Sequence, residues 1–427
     1  MNAFKYNEDL LHYIWRFRKY DQLDLRTVDG QKVKISHPGF HNHHAGPDFL
    51  DARVTIGDTQ WAGHIEIHKN SSDWLYHRHQ NDPAYKNVVL HVVYHNDRDI
   101  AYDHGKSIAC LELKNRTDQS LFQKYNEIMF NANWIPCASY FDQVSDIKKK
   151  MWIERLVSER LMSKADRIQN LLKASKNDWD SVCYKMMAQY LGQKTNGDAF
   201  LRLLEQTSLE ILLKHKTNVF QLEAILFGQS GMLNQQDEYA IKLEKEYNFF
   251  QKKYSLEKMN AVEWKFAKMR PSSFPTLRIA QLAVLISTQG RIFQKILDQG
   301  LYLKELSLQW SVECSDYWNT HYRFGKESKF RTKKIGEKSL QILMINGVCP
   351  LLFAYGEARD SQKHKDHALE ILQSCKAESN GIIKKWSEHK IDIGDATVTQ
   401  ALLQLKNEYC DQFRCLECAI GFDVMGR

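Results

Sequence analysis

Acidic and histidine side chains are concentrated in two neighbouring segments whose residue pattern is typical of β-strands. One segment begins at Pro47-Asp48, and the other is Gly63-His64-Ile65-Glu66-Ile67-His68. Because side chains alternate between the two faces of a strand, His64, Glu66 and His68 share one face. The two isoleucines between them share the other face and can enter a core, so the polar trio can line a cleft.

The length of the turn around Gly57-Asp58 decides whether Asp48 joins that polar face. With a three-residue loop, Ile56 pairs with Gln60, and Asp48 lies opposite His68 on the polar face. A loop of two or four residues turns Asp48 to the other face unless a β-bulge restores the register. The sequence leaves the loop length open. Two carboxylates that meet on one strand pair would suit a hard divalent cation such as Mg²⁺.

This pattern resembles the PD-(D/E)xK nuclease core, in which a helix precedes a strand that begins with Pro-Asp and a hairpin partner carries Glu-x-Lys. Pro47-Asp48 matches the first element, and Glu66-x-His68 matches the second with histidine in place of lysine. The resemblance implies that Asp48 and Glu66 are catalytic ligands of Mg²⁺ or Mn²⁺. It also implies that His68 occupies the position of the lysine that orients or activates the attacking water.

The resemblance covers about residues 8–95, and the histidine is its main departure from the family pattern. A histidine at this position could handle a proton near neutral pH, bind the metal itself, or mark a fold that has lost its chemistry. Glu8, on the preceding helix, would be the additional acid that some members carry. The hypothesised function is metal-dependent hydrolysis of phosphodiester bonds in DNA or RNA. The alternative is a non-catalytic nucleic-acid or protein-interaction module on a degenerate nuclease fold.

Histidine is concentrated near the beginning of the chain, where 12 of the 17 lie within the first 104 residues. Imidazole serves both as a metal ligand and as a proton carrier near neutral pH. His64, His77 and His79 are predicted to contact substrate. The same residues, with Glu66, His68 and His91, could instead build a zinc or other transition-metal site, which would make the protein a metal hydrolase of another class. His91 lies within an apolar strand, so a buried, hydrogen-bonded supporting role is the expectation for it.

Three of the nine cysteines fall within nine residues, in the pattern Cys410-x4-Cys415-x2-Cys418. Two thiolates separated by two residues can bind one ion, so these cysteines are predicted ligands of Zn²⁺ or of an iron–sulfur cluster. A fourth ligand would have to come from elsewhere, and the nearest candidates in sequence are Cys375, Cys349 and Cys314. Ordinary burial of the three cysteines is the alternative interpretation.

Nucleic acid is a possible partner because the chain carries 59 basic and 52 acidic residues, a net charge of +7. Residues 1–140 carry 16 basic and 17 acidic residues, so the excess lies in residues 141–427. Arg270 and Arg278, around a loop with two prolines, are predicted to bind phosphate. A basic surface that serves only solubility explains the same charge.

The arrangement of apolar residues predicts an α+β protein with an α/β domain followed by a large all-α domain. The nuclease resemblance implies that the first domain is restriction-endonuclease-like. The predicted boundaries are 1–115 for the first domain, 116–145 for a connector and 146–427 for the helical domain. The pattern favours a first helix over Glu8–Tyr20. The strands are expected at Gln31–Ser36, Phe49–Ile56, Gln60–His68, Asn87–Tyr94 and Ser107–Lys114.

Cellular location is inferred from what the sequence lacks. The N-terminal residues show no export signal, and no stretch approaches the roughly 18 apolar residues of a membrane span. An odd number of cysteines, nine, does not suggest a disulfide framework. We therefore expect a cytoplasmic protein without a membrane partner.

Several segments together resemble the bacterial family catalogued as domain of unknown function 2851 (DUF2851). The resemblance runs through nearly the whole chain and implies no particular activity, since the family has no assigned function. The segments that carry it are GPDF, GHIEIHKNSSDW, LHVVYH, RPSSFPTLRIAQLA and YCDQFRCLECAIG.

Overall fold

The computed structural model describes residues 6–100, 108–233, 237–299 and 303–426. Two compact units are present, one formed by residues 1–149 with 406–427 and the other by residues 150–405. This division differs from the predicted one, because the last 22 residues belong with the first unit. The predicted strand Ser107–Lys114 begins outside the described residues.

The first unit contains a mixed sheet in the order β1-β3-β4-β5-β6, with β2 also paired to β3. Strand β3 is antiparallel to β1 and β4, whereas β5 is parallel to β4 and β6. A two-stranded ribbon, β7–β8, lies in the second unit. The strands are β1 (Val33–His37), β2 (Phe40–His41), β3 (Phe49–Ile56), β4 (Thr59–Asn70), β5 (Val88–His95), β6 (Cys110–Glu112), β7 (His321–Arg323) and β8 (Lys326–Glu327).

Helices flank the sheet in the first unit and make up most of the second unit, so the protein is α+β. The helices are α1 (Glu8–Arg16), α2 (Asp73–Tyr76), α3 (Gln119–Met129), α4 (Ala138–Phe141), α5 (Asp146–Ala174), α6 (Trp179–Leu191), α7 (Gln193–Gln206), α8 (Leu209–Lys214), α9 (Val219–Gln229), α10 (Glu238–Tyr254), α11 (Pro275–Gln289), α12 (Ile292–Gln299), α13 (Leu303–Trp310), α14 (Asp316–Thr320), α15 (Glu337–Leu343), α16 (Cys349–Ala358), α17 (Gln362–Ser374), α18 (Gly381–Trp386), α19 (Ala396–Gln404) and α20 (Ala419–Gly426).

Helix α1 is amphipathic and packs against β4 of the sheet. Its apolar side, formed by Leu10, Leu11, Ile14 and Trp15, is fully buried. Acidic residues stand in its first turn and Arg16 in its last, which complements the helix dipole. The predicted helix ran to Tyr20, but the chain leaves the helical conformation because Arg18 has a positive φ of 51°.

The β3–β4 hairpin has a two-residue loop, Gly57-Asp58, so that Ile56 pairs with Thr59. A bulge then shifts the register between Phe49 and Ala52, where the intervening Asp51 has a positive φ of 57°. Phe49 consequently pairs with Ile65. Asp48 therefore lies opposite Glu66, whereas a three-residue loop would have placed it opposite His68.

Two helical segments are interrupted in the structure. Helix α7 ends before Thr207, which is extended, and the Ser208 hydroxyl then caps α8. Helix α19 ends at Gln404 and is followed directly by a π-helical turn, Leu405–Cys410. The predicted connector, 116–145, contains α3 and α4.

One continuous helical stretch, Glu337–Ala358, is long and apolar enough to cross a membrane by length and composition. It comprises α15, a π-helical turn and α16. Of its most apolar window, 72% is buried inside the protein, as in the core helices of many proteins.

Replacing Gly63 with alanine is expected to destabilise the sheet beside the acidic residues. A Cβ atom on Gly63 would lie 2.5 Å from Val89 Cγ1 and 2.6 Å from the Asn87 carbonyl oxygen. Overpacking of this kind costs about 1–3 kcal/mol. Urea unfolding should therefore show a lower free energy of unfolding. The control Gly394→Ala adds a Cβ that meets no described atom within 4 Å and should change it little. Equal stability of both variants would contradict this packing.

Candidate metal centre

Asp48 and Glu66 are joined by hydrogen bonds between neighbouring strands. The Asp48 amide donates to Glu66 Oε2 at 3.1 Å, and the Ile67 amide donates to Asp48 Oδ2 at 2.9 Å. Only 4% of Glu66 is exposed. Burial, followed by the negative charge of Asp48, raises the pKa of Glu66. Glu66 therefore holds a proton near neutral pH unless a cation compensates its charge.

His12 approaches the same carboxylate from helix α1, with its Nε2 3.3 Å from Asp48 Oδ2. Burial alone would lower the pKa of His12. The hydrogen bond and charge of Asp48, together with the charges of Asp9 and Glu8, more than compensate and raise it. His12 is thus favoured as the charged imidazolium beside Asp48. Glu8, the predicted additional acid, acts electrostatically on both His12 and Glu66.

Three imidazoles lie next to the carboxylates. His68 Nε2 is 3.1 Å from His77 Nδ1 and 3.5 Å from Glu66 Oε1. His79 Nε2 is 3.3 Å from the same glutamate oxygen. One ligand atom from each of His68, His77 and His79 lies within 4.8 Å of the other two. Glu66 therefore connects Asp48 to the histidines. We call the whole group the acid–histidine cluster; its members are His12, Asp48, Glu66, His68, His77 and His79.

His91 supports the cluster from the neighbouring parallel strand. Its Nε2 is 2.8 Å from His68 Nδ1, and both residues are 1% exposed. Burial, and then the neighbouring histidines, lower the pKa of His68 to about 2 and that of His91 to about 3. Both rings are therefore neutral at pH 7. With His68 Nδ1 engaged by His91, His68 Nε2 is the ligand atom on the side of His77 and Glu66.

The turn after β4 places two histidines side by side. His77 ends helix α2, and Arg78 adopts the left-handed conformation with a φ of 61°. This reversal brings His79 back toward His77, with their ring centroids 5.4 Å apart. Tyr85 stacks on His79 at 3.8 Å. His77 is exposed, so the acid–histidine cluster reaches solvent at this point.

Other predicted site residues lie outside the cluster. His64 shares the face of Glu66, but its Nδ1 accepts a hydrogen bond from the Asp51 amide at the bulge. Arg270 is exposed at the start of a short 3₁₀ turn in the second unit. Arg278 is only 5% exposed and donates to Gln281 and Ser339, so its guanidinium supports helix packing rather than an open phosphate site.

The predicted cysteine ligands Cys410, Cys415 and Cys418 are buried in the first unit. The three cysteines suggested as a fourth ligand lie instead in the second unit. They are Cys314, Cys349 and Cys375.

Sequence reasoning missed His12, which is the only described residue of α1 that forms an ion pair with Asp48. The excess of histidine in the first 104 residues was the available signal. His41, at the end of β2, has its ring centroid 5.3 Å from that of His12. Burial lowers the pKa of His41 to about 4, so it adds no positive charge at pH 7.

Comparison with known proteins gives a family and no function. No curated protein and no solved structure matches the chain. Residues 8–381 match the family described as "Protein of unknown function (DUF2851)". The match includes the hairpin, the histidine turn and most of the second unit, and it covers well over half of the sequence. The chain therefore belongs to the DUF2851 family.

Proposed function

We propose that the protein is a metal-dependent hydrolase of phosphodiester bonds in DNA or RNA. One observation carries this proposal: Asp48 and Glu66 meet across neighbouring strands, with His68 and His79 beside the Glu66 carboxylate. His77 contacts His68 and completes the group of three imidazoles. Carboxylates and imidazoles at this spacing are ligands for a divalent cation. The exposed edge at His77 leaves a route by which a large substrate could reach the cation.

The ligand types favour manganese over magnesium. Mg²⁺ prefers oxygen ligands and usually keeps several waters, whereas imidazole suits transition metals. The acid–histidine cluster offers both types of ligand within one small volume. Of the two ions expected from the acidic pair, Mn²⁺ is therefore the better match to the residues that surround Glu66.

Different side chains of the cluster would have different roles in hydrolysis. A bound divalent ion would polarise the phosphate and activate a water molecule for attack. His12, favoured as an imidazolium beside Asp48, would supply a proton to the leaving oxygen. His68 is neutral at pH 7 because of its burial, so it cannot provide the positive charge of a lysine at this position. It would act as a ligand or as a hydrogen-bonding partner of the water.

The order of elements supports a restriction-endonuclease-like first unit. Helix α1 precedes the antiparallel pair β3–β4, which carries both acids, and β5 then returns parallel to β4. A helix followed by an acidic hairpin is the order that the PD-(D/E)xK resemblance implies. We infer the likeness from this order and from the placement of Asp48 and Glu66.

A zinc-dependent hydrolase of another class is the second candidate function. The observation that favours it is the proximity of the His68, His77 and His79 ligand atoms, which resembles the three-histidine sets of catalytic zinc sites. The two candidates differ in the metal that supports activity and in the substrate that is cleaved.

Cleavage of nucleic acid should depend on both acidic residues. We expect the full chain to cleave plasmid DNA, single-stranded DNA or RNA with Mn²⁺ present. Asp48→Asn and Glu66→Gln should lower the rate by about 100-fold or more, since each removes a charged ligand. The control is Asp51→Asn on the same strand. Asp51 is exposed, and asparagine tolerates its positive φ, so this variant should keep the activity.

Two results would contradict the nuclease proposal. One is unchanged cleavage by both acidic variants. The other is binding of labelled DNA or RNA without cleavage in the presence of Mg²⁺, Mn²⁺ or Zn²⁺, which would favour a non-catalytic module. Cleavage of other substrates with Zn²⁺ alone would favour the second candidate.

Metal binding should depend on the histidine turn. His77→Ala and His79→Ala are expected to weaken Mn²⁺ or Zn²⁺ binding at least tenfold, measured by isothermal titration calorimetry. His44→Ala is a suitable control because His44 is exposed in the loop before Asp48. If His44→Ala, His77→Ala and His79→Ala all bound the metal with equal affinity, His77 and His79 would not be metal ligands.

Metal binding should also release about one proton near neutral pH. The raised pKa of Glu66 keeps this carboxyl protonated without metal, whereas the ion requires the carboxylate. The apparent affinity should therefore rise with pH. Calorimetry in two buffers of different ionisation enthalpy measures the released proton. Glu66→Gln should abolish the release, and its persistence in that variant would assign the proton to another group.

A further inference from the structure

Four buried cysteines belong to the first unit, although one of them is far from the others in sequence. Cys137 precedes helix α4, Cys410 ends the π-helical turn, and Cys415 and Cys418 precede helix α20. Each is at most 9% exposed. Helix α4 packs against α20, which brings the two segments together.

The four thiols are close enough to influence one another. The charge of Cys137 would interact with Cys415 and Cys418, and that of Cys410 with all three of the others. Burial and then these neighbours raise the pKa of Cys137 and Cys410, and they raise the pKa of Cys415 to about 12. A cationic centre would reverse this effect and hold the sulfurs as thiolates.

The backbone between the three C-terminal cysteines is tightly folded. Phe413 has a positive φ of 52°, and the Cys418 amide donates to the Cys415 carbonyl at 3.3 Å. A Cβ atom on Gly421 would lie 2.1 Å from that carbonyl oxygen, so only glycine fits there. The turn thus holds Cys415 and Cys418 side by side, at the beginning of α20.

The number and sequence spacing of the cysteines match those of an iron–sulfur site. Cys410-x4-Cys415-x2-Cys418, with a fourth cysteine elsewhere in the chain, is a spacing found in iron–sulfur proteins, whose clusters are held by four cysteine thiolates.

We propose that Cys137, Cys410, Cys415 and Cys418 ligate an iron–sulfur cluster. This site is separate from the acid–histidine cluster and does not depend on the proposed hydrolase function. Cys137 is the fourth ligand that the C-terminal pattern lacks.

The iron–sulfur cluster would hold α20 against α1, the helix that carries His12. Phe422 of α20 packs against Phe17 at 4.5 Å and against Tyr13 at 5.7 Å between ring centroids. Tyr13 lies in α1, one residue after His12. Attachment of Cys418 to the cluster fixes the start of α20, and this packing then supports α1.

Iron and sulfide analysis of the full chain purified without oxygen tests the proposal. We expect about two or about four iron per chain with an equal amount of acid-labile sulfide, and a brown colour. Cys137→Ser and Cys415→Ser should each lose most of both. Cys110→Ser changes a cysteine on β6 of the same unit and should retain them. His77→Ala should also retain them, which separates this centre from the acid–histidine cluster.

Three results would overturn the proposal. The first is a full chain without iron and sulfide, even after anaerobic reconstitution with ferrous iron and sulfide. The second is one zinc ion per chain in place of the cluster. The third is a Cys137→Ser variant with full iron content. The first two use the unaltered protein, so they decide the matter even if the variants fail to fold.

Discussion

The carboxyl groups of Asp48 and Glu66 lie side by side and largely out of contact with water, so repulsion between their charges constrains the first unit. Asp48 and Glu66 cannot both be ionised there without a compensating charge. The imidazolium of His12, on helix α1, compensates the charge of Asp48, and a bound proton neutralises Glu66. The β-bulge and the packing of α1 both serve this arrangement, because either one out of register would separate the compensating groups.

The surrounding imidazoles add ring nitrogens to the cluster without adding charge. His68 and His91 are neutral because they are buried, so they offer lone pairs only. The charges of Asp48 and His12 compensate each other, and Glu66 is neutral while it holds its proton. Under the proposed function, a cation would therefore have to displace the Glu66 proton before an anionic group such as phosphate could bind.

The strands of the β3–β4 hairpin could be predicted from the sequence, whereas the register in which they pair could not. Alternating apolar residues located Phe49–Ile56 to the residue. The bulge could not be foreseen, because it depends on the left-handed conformation of Asp51, which aspartate tolerates but does not require. His12 and Cys137 were missed for a related reason. Each reaches its partners only through packing between elements, and local spacing carries no signal of such contacts.

The return of residues 406–427 to the first unit has a consequence for biosynthesis. A nascent chain emerges from the ribosome in order, and domains generally fold as they emerge. Residues 150–405, which form the second unit, leave the ribosome before α20 does. The sheet and α1 therefore gain α20 only after the second unit has been translated, and the face of Tyr13 and Phe17 is uncovered until then. A ribosome that stops before residue 406 would release a chain whose second unit can fold while its first remains unfinished.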